Sequence, residues 1–277
     1  GSYITIIREN SVYFFALYLL CSKINKTLVT LDHNSNFEIL KKQIIEFKLN
    51  NILCSDKLKQ KLISEKVKKN FLKESNNFKK KNINKKEKKN EIFLLTFSSG
   101  STSLPKPIAI SEKTKIDRAN SNINIFSVKK EDKIIISTPL HHTLAIRLMT
   151  MGIILGSEIV FLQNYSLEKF LKTLKRKNCQ FTFFVSNQLS EITKNKSYIK
   201  LLKPLKCLVS SSSKLPLDEK NELIKFYNKK IYEIYGLSEA AVVSNLDLKK
   251  NKLHVDSVGK PIPGVKVKIN YFKNKKF

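Results

Sequence analysis

The chain has 277 residues, of which 42% are hydrophobic, and its 52 lysine and arginine residues against 23 acidic ones give a net charge of +29. This hydrophobic content can fill a core and excludes a wholly disordered protein. Only four of the basic residues are arginine, which phosphate- and base-binding proteins commonly use beside lysine. The charge therefore indicates a solvated basic surface, and we expect no specific nucleic-acid partner.

The cysteines and the apolar segments narrow the class of protein further. Four cysteines are scattered without a C-x-x-C pair, and no histidine stands at metal-ligand spacing. This usage favours a reduced, cytoplasmic protein without a structural zinc site. The apolar segment 12–21 is too short to span a membrane, and 144–162 is interrupted by charged residues, so we expect no transmembrane segment.

Strand-like and helix-like segments alternate over the first 65 residues. Strands are predicted at Tyr3–Ile7, Thr27–Leu31 and Asn51–Cys54, and a buried helix at Ser11–Ser22. The stretch Ser35-Asn36-Phe37-Glu38 has the pattern of a capping box and predicts the start of a second helix. This βαβαβ order predicts a parallel sheet.

The segment Lys66–Asn90 interrupts this alternation. It holds 11 lysines and 6 asparagines in 25 residues, with almost no apolar periodicity, and this predicts an exposed linker or inserted loop. A lysine-rich arm for nucleic acid is the alternative. It ranks lower because only Phe71 and Phe78 could stack on bases.

The alternation of strands and helices resumes after the linker. The predicted strands are Ile92–Phe97, Lys133–Ser137, Glu158–Leu162, Phe181–Val185, Cys207–Val209 and Lys230–Ile234. The predicted helices are 111–125, 143–155, 166–177 and 217–228. Short β-like pieces follow from Lys252. We therefore predict an α/β subdomain portion over 1–65, the linker over 66–91, a second α/β subdomain over 92–250 and the start of a β subdomain over 251–277.

A run of small polar residues follows the predicted strand Ile92–Phe97. Ser98–Thr102 holds only serine, glycine and threonine, and Pro105 and Lys106 come soon after. Such a loop at the carboxyl end of a strand can offer amide groups, hydroxyls and one ammonium to a polyphosphate. A polar surface loop is equally compatible with this composition. A P-loop is excluded because prolines, at 105 and 107, flank the lysine.

Four stretches resemble motifs of one family in the family's order. Ser98–Lys106 resembles the phosphate loop of the adenylate-forming superfamily, which comprises acyl- and aryl-CoA synthetases, luciferases and adenylation domains. Pro139-Leu-His-His142 is similar to its Pro-Leu-Phe-His motif, and Ile234–Glu239 to its Tyr-Gly-x-Thr-Glu motif. Val258–Gly264 is similar to its Gly-x-Pro-x-Pro-Gly segment. Asn10-Ser11 at the start of a predicted helix, followed by Lys26–Asp32, looks like the first βα unit of the same family.

The resemblance implies an α/β fold, the large N-terminal domain of an acyl-CoA synthetase-like enzyme. In that domain mostly parallel sheets are flanked by helices, and a small β subdomain begins near residue 251. The family continues with a ribose-binding aspartate, a hinge and a mobile C-terminal domain, which the sequence lacks. We therefore expect a fragment, one half of a split enzyme whose C-terminal domain is a separate chain, or a degenerate relative. Adenylation by this chain alone is expected to be impaired.

The implied activity is that of an AMP-forming ligase, which joins a small carboxylic acid to ATP as an acyl-adenylate. The acyl group then passes to a thiol, here expected to be that of coenzyme A. The first alternative is a carrier-protein ligase or an amino-acid adenylation domain. Phe181–Val185 offers no aspartate for a substrate amine, which favours a fatty or aryl acid. Alternatives of another class are a catalytically silent nucleotide-binding relative and a polybasic nucleic-acid binder.

The resemblance also implies roles for individual residues in binding ATP. The residues expected to hold its phosphates are Ser98, Ser99, Gly100, Ser101, Thr102 and Lys106. Tyr235 would lie against adenine and Gly236 would let the backbone approach the nucleotide. Ser238 stands in the place of the motif threonine, and Ser211 and Ser212 match the adenine-wall segment.

Three of the matched residues would act in catalysis. Glu239 would bind the Mg²⁺ ion that bridges the phosphates, because hard cations prefer carboxylate oxygen. His142 would line the acyl pocket near the carboxylate, and Lys106 would neutralise charge. His141 replaces the usual aromatic residue of its motif.

Serine and proline replace glycine at several positions of the two nucleotide motifs. Ser103 and Pro107 stand where glycines are common in the phosphate loop, and Ser211–Ser213 replace a glycine-rich turn. Where those glycines adopt a positive φ, a serine would add strain of about 1–3 kcal/mol per site.

Overall fold

The computed structural model describes residues 3–73, 91–98 and 105–269. These residues form two compact units. The first unit comprises the described residues up to Phe183 together with Pro204–Lys206, and the second comprises the others from Phe184 onward. The division falls inside the range 92–250 that the sequence predicts as one subdomain.

The first unit is built on a five-stranded sheet. Its strands are β1 (Tyr3–Ile7), β2 (Thr27–Thr30), β3 (Ile52–Cys54), β4 (Leu94–Phe97) and β5 (Pro107–Ile110), in the order β3-β1-β2-β4-β5. The first four strands are parallel, and β5 runs antiparallel to β4. Leu28 of β2 pairs with Leu94 of β4, so the chain on both sides of the lysine-rich segment shares one sheet.

Three helices accompany the first strands: α1 (Val12–Lys23), α2 (Phe37–Glu46) and α3 (Asp56–Ser64). The N-cap of α2 is Asn36, whose side chain accepts a hydrogen bond from the Glu38 amide at 2.8 Å. The predicted capping box on Ser35 is therefore wrong. The amide of Ser35 instead donates to the Asp32 carbonyl in a turn that precedes the helix.

The start of the lysine-rich segment packs on the sheet, contrary to the prediction of an exposed linker. Val67 is only 6% exposed, and Phe71 forms a parallel bridge with Ile52. Burial of Val67 and partial burial of Phe71 stabilise the packing of this stretch beside the edge strand β3. Residues 74–90 of the predicted linker lie outside the described residues.

The rest of the first unit holds a short parallel pair of strands, β6 (Ile134–Ile136) and β7 (Ile159–Phe161). Its helices are α4 (Glu112–Phe126), α5 (Thr143–Leu155) and α6 (Leu167–Lys177). α5 is buried along most of its length and packs on α4. On α4, Lys115 is 1% exposed; burial and then the neighbouring cations Arg147 and Arg118 hold the pKa of its ammonium well below the usual range.

The second unit has a mixed five-stranded sheet in the order β12-β11-β10-β9-β8. Its strands are β8 (Phe184–Val185), β9 (Cys207–Ser211), β10 (Lys230–Leu237), β11 (Ala241–Asp247) and β12 (Lys260–Pro261). β8, β9 and β10 are parallel, whereas β11 is antiparallel to both β10 and β12. The helices are α7 (Ser186–Thr193), α8 (Lys196–Leu201) and α9 (Leu217–Phe226), and Lys252–His254 form a 3-10 turn.

Most predicted elements are confirmed, but five are missing from the sequence-based assignment: α3, β5, α7, α8 and β11. The predicted strand Phe181–Val185 is reduced to β8, and Phe181 forms only an isolated bridge with Ile134. Among the described residues, none of the helices has the length and apolar character needed to cross a membrane.

Candidate functional site

The two ends of the Ser/Thr loop are held together by the hairpin of β4 and β5. Phe97 pairs with Pro107, and beyond this pair the Ser98 amide donates to the Lys106 carbonyl at 3.0 Å. Ser98 is half-buried and the side chain of Lys106 is exposed. The predicted phosphate-binding residues Ser99, Gly100, Ser101 and Thr102, and the glycine replacement Ser103, lie outside the described residues.

The turn that carries the two neighbouring histidines is fixed by Asn10, which is 3% exposed. Its side-chain amide donates to the carbonyls of Thr138 at 2.9 Å and Leu162 at 3.1 Å, and its Oδ1 accepts from the Leu140 amide at 2.7 Å. The His142 amide closes the turn on the Pro139 carbonyl at 3.1 Å. The sequence places Asn10 only at the start of a helix and gives no sign of this contact.

The same turn is attached to two strands of the main sheet through one carbonyl group. The His141 carbonyl accepts hydrogen bonds from the Thr96 hydroxyl at 2.9 Å and the Thr30 hydroxyl at 3.4 Å. Thr30 ends β2, and Thr96 lies near the end of the adjacent strand β4. The turn is therefore fixed at the carboxyl edge of the sheet, where α/β folds bind ligands.

The surroundings favour the neutral form of both imidazoles. The His141 side chain is 10% exposed, and burial together with the adjacent His142 ring lowers its pKa to about 4. The Asp32 carboxylate, with Oδ1 3.7 Å from His141 Nε2, opposes this shift. His142 reaches the surface at the N-terminus of α5, but partial desolvation of its ring lowers its pKa, again against the effect of Asp32.

In the second unit, the serine-rich turn follows β9. The Ser186 hydroxyl donates to the carbonyls of both Ser211, at 3.3 Å, and Ser213. Ser212 between them has a φ of +81°, whereas its two serine neighbours are not in the positive-φ region. The strain expected from replacing glycine is therefore present at Ser212 alone of these three residues.

The Tyr235–Glu239 motif forms the end of β10 and its turn into β11. A β-bulge separates Tyr235 from Gly236, and the tyrosine side chain is 46% exposed. A Cβ atom on Gly236 would lie 1.9 Å from the Ala241 carbonyl oxygen, so the hairpin itself requires glycine there. Ser238 is half-buried and Glu239 is exposed, both in the turn that joins the two strands.

A buried ion pair that the sequence analysis missed lies two residues before Tyr235. Lys220 on α9 is fully buried, and its Nζ lies 2.5 Å from Glu233 Oε2 and donates to the Val255 carbonyl at 2.6 Å. Glu233 Oε1 accepts from the Leu215 amide at 2.7 Å. These contacts tie β10 to the segment that follows the serine-rich turn. A lysine in a lysine-rich sequence gives no signal of such a role.

The side chains present fit the groups that ATP and Mg²⁺ would require. Mg²⁺ accepts one or two carboxylates and completes its shell with phosphate oxygens and water. Glu239, exposed beside the Ser238 hydroxyl, offers such a carboxylate. The exposed ring of Tyr235 offers a stacking face, and the Lys106 ammonium reaches solvent at the base of the Ser/Thr loop.

Comparison with known proteins decides the family. The sequence profile of the family described as "AMP-binding enzyme" matches residues 1–273. The chain belongs to the AMP-binding enzyme family. All four motif stretches of this AMP-binding chain lie inside the matched range, so the predicted resemblance to adenylate-forming enzymes is confirmed.

Relatives of this AMP-binding chain include CoA ligases. The 2-succinylbenzoate–CoA ligase of Oceanobacillus iheyensis is 21% identical over 278 residues, which cover 99% of this chain and 58% of the relative. The 4-coumarate–CoA ligase 2 of Nicotiana tabacum is 26% identical over 163 residues, 55% of this chain and 30% of the relative. The chain thus spans between 30% and 58% of the length of these curated relatives.

A solved structure shows the same fold. The O-succinylbenzoate coenzyme A synthetase of Bacillus subtilis, in complex with ATP and magnesium ion, superimposes with a TM-score of 0.81 at 17% identity. The match covers 98% of this AMP-binding chain and 57% of that one. The predicted α/β fold of the acyl-CoA synthetase type is therefore confirmed.

Proposed function

We propose that this protein is an ATP-dependent carboxylate ligase that activates a fatty or aryl acid as its acyl-adenylate and passes the acyl group to coenzyme A. The observation that carries the proposal is family membership over residues 1–273, which includes every motif of the implied site. The relatives named for aryl acids and CoA support an acid of the aryl class and a CoA acceptor. The described cysteines are all free thiols, the state expected in a cytoplasm.

The reaction brings two anions together, a carboxylate and a triphosphate, and these repel each other. Charge neutralisation and positioning are therefore its main requirements. In this proposal the loop Ser98–Thr102 donates amides and hydroxyls to the phosphates, and Lys106 adds positive charge. The hydrogen bond from Ser98 to the Lys106 carbonyl supports this role, because it keeps the two ends of the loop adjacent.

The other nucleotide contacts are proposed for the second unit. Tyr235 lies on adenine, Gly236 and Ser238 face the nucleotide, and the turn at Ser211 and Ser212 forms the adenine wall. Glu239 binds Mg²⁺, which when bound bridges and neutralises the phosphate oxygens. The exposure of both Tyr235 and Glu239 supports these assignments, since neither side chain is buried in the core.

His142 is proposed to orient the substrate carboxylate. Its lowered pKa favours a neutral imidazole at physiological pH. A neutral ring can donate one hydrogen bond to a carboxylate without forming an ion pair that would reduce its nucleophilicity. The position of the ring is fixed by the turn that Asn10 holds.

The first test is ATP binding by calorimetry in the presence of Mg²⁺. We expect Lys106→Ala to weaken ATP binding by about tenfold or more, because it removes one positive charge that faces the phosphates in this proposal. Lys113→Ala is the matched control: this lysine lies in the same unit, its side chain is 85% exposed, and its partner is Asp117 on the same helix. Equal affinity of the two variants, or no ATP binding by the parent protein, refutes the proposal.

The metal assignment has its own test. Glu239→Gln is expected to weaken binding of ATP with Mg²⁺ and not to weaken binding of metal-free ATP, because the lost carboxylate charge attracts the metal ion but repels the phosphates. Glu222→Gln on α9 removes the same charge elsewhere in the second unit and is expected to change neither. An equal loss of both forms of binding in Glu239→Gln would remove this residue from the metal site.

Adenylation is then measured as pyrophosphate exchange that depends on an added fatty or aryl acid. Exchange with an amino acid instead would indicate an adenylation domain. Tight ATP binding without exchange by any acid would indicate a silent nucleotide-binding relative. Deletion of residues 74–90 tests the nucleic-acid alternative, because it removes seven of the 11 lysines of the lysine-rich segment and keeps the packed Val67 and Phe71. Affinity for nucleic acid that disappears on this deletion would favour that alternative.

A further inference from the structure

We propose that Asp32, His33 and His141 bind a divalent transition-metal ion, with Zn²⁺ as the best match. One donor atom from each of these side chains lies within 4.8 Å of the other two. Asp32 and His33 directly follow β2, and His141 lies in the turn before α5. These three residues belong to the first unit, whereas Glu239, for which the Mg²⁺ role is proposed, belongs to the second.

The spacing of the donor atoms is close to that of a bound ion. Zn²⁺ holds nitrogen and oxygen ligands at about 2.0–2.2 Å, so tetrahedral donors lie about 3.3 Å from one another. His141 Nε2 and Asp32 Oδ1 are 3.7 Å apart. Because the widest separation among the three donors is at most 4.8 Å, side-chain rotations alone can complete the geometry.

Two buried nitrogen atoms at this place have no hydrogen-bond partner among the described residues: His33 Nδ1 and His141 Nδ1. Buried polar atoms in folded proteins are nearly always paired, and an unpaired one destabilises the folded state. The His141 side chain is nine-tenths buried, so water does not supply its partner freely. Each imidazole binds an ion through one nitrogen. The ion can therefore pair with His33 Nδ1, whereas His141, which faces Asp32 through Nε2, keeps its Nδ1 atom without a partner among the described residues.

Hydrogen bonds position two of the three ligands, His141 and Asp32. The His141 carbonyl is bound by the hydroxyls of Thr30 and Thr96. The Asn34 amide donates to Asp32 Oδ1 at 2.9 Å and orients this carboxylate. Hydrogen bonds of this kind to liganding groups raise metal affinity, because they fix the orientation of the ligand.

The donor set determines the class of metal. Two imidazoles and one carboxylate suit Zn²⁺ and other late transition metals, whereas Mg²⁺ and Ca²⁺ prefer oxygen ligands alone. Three protein ligands leave a fourth position open for water or a substrate group. His33 also lines an open cleft of about 280 Å³ beside Ser35 and Phe37, which gives an ion a path from solvent.

Sequence spacing alone could not reveal this site, because the two segments that form it are far apart in the chain. The motif that contains His141 has an aromatic residue there in the family it resembles, so the imidazole is a departure of this chain. The sequence therefore predicts an aromatic substitute, whereas the structure brings the ring to a carboxylate and a second imidazole.

The test uses the full chain without an affinity tag, stripped of metal by a chelator. Calorimetry with Zn²⁺ measures stoichiometry and affinity, and absorption of the Co²⁺ form reports ligand type. We expect one ion per chain and no thiolate-to-cobalt charge-transfer band. Asp32→Asn, His33→Gln and His141→Gln should each weaken binding by about 100-fold or more, beyond the effect of changes outside the ligand set. His254→Gln, in the second unit, is the matched control and should bind like the parent.

Three results would overturn the proposal. Ligand variants that keep the parent affinity, a thiolate band in the Co²⁺ spectrum, or saturation by Mg²⁺ at similar concentration would each place the ion elsewhere. His33→Gln is the decisive variant, because His33 is the less buried of the two rings and the change should preserve the fold. Far-UV circular dichroism identifies any variant that unfolds, and the remaining ligand variants then decide the outcome.

Discussion

The buried pair of Lys220 and Glu233 predicts a large loss of stability when one partner is removed. Lys220→Met preserves most of the side-chain volume and deletes the ammonium. The Glu233 side chain is 9% exposed and would keep the Leu215 amide as its partner among the described residues. The Val255 carbonyl would lose its donor. Breaking a buried pair in this way costs about 3–5 kcal/mol, mainly because the remaining charge is uncompensated.

A double-mutant cycle separates this ion pair from simple packing loss. Glu233→Gln removes the charge and keeps an oxygen that can accept from the Leu215 amide. The double variant Lys220→Met/Glu233→Gln contains neither charge, so it should be more stable than Lys220→Met alone. We expect a coupling free energy of about 2 kcal/mol or more between the two sites.

Urea unfolding followed by far-UV circular dichroism measures these free energies, since the chain has no tryptophan. Hydrogen exchange shows where the structure is destabilised. In Lys220→Met, amides of β9, β10 and β11 should lose protection before amides of β1 and β2 do. The exposed Lys225→Met on the same helix is the control, with an expected change within about 0.5 kcal/mol. A loss below about 1 kcal/mol for Lys220→Met, or strictly additive effects, would refute the reasoning.

Four further substitutions test other parts of the structure by urea unfolding. Ser212→Gly should stabilise by about 1 kcal/mol because it relieves a positive φ, whereas Ser213→Gly should destabilise slightly. Lys115→Met should stabilise the protein at neutral pH by about 1–4 kcal/mol. The stability of the parent should rise with pH between the lowered pKa of Lys115 and the unfolded-state pKa of about 10.4, because the unfolded chain binds more protons there. The variant should lack this rise. Asn10→Ala should cost about 2–4 kcal/mol, because it leaves the Leu140 amide and two buried carbonyls unpaired. Unchanged midpoints would contradict each expectation.

Local sequence signals predicted the elements that have a clear beginning and end. Helix α5 is found over the predicted range 143–155 because a long apolar run ends at Gly156, which caps the helix at a φ of +66°. The strand β5 was missed because Pro107 reads as the end of a loop. Only pairing with β4 makes Pro107–Ile110 a strand, and proline is tolerated there at a sheet edge.

The motifs of the candidate site could be predicted from the sequence, but the polar contacts that hold the site could not. The motif residues Lys106, His142 and Glu239 were identified from order along the chain, and their roles remain predictions. The polar contacts that hold the site join distant segments, as Asn10 does with Thr138 across 128 residues. Periodicity and composition carry no information on such contacts, because asparagine and lysine are common throughout this sequence.

Replacement of glycine by serine in the turn at Ser212 can affect both the stability of the protein and its affinity for ATP, and these two effects can be measured separately. The positive φ of Ser212 belongs to the folded turn, so its cost enters the free energy of unfolding. A ligand responds only to a difference between the free and bound conformations. Ser212→Gly is therefore expected to stabilise the protein and to leave ATP affinity within about twofold of the parent. A gain of about tenfold, or 1.4 kcal/mol, would instead show that ATP binding increases the strain at this turn.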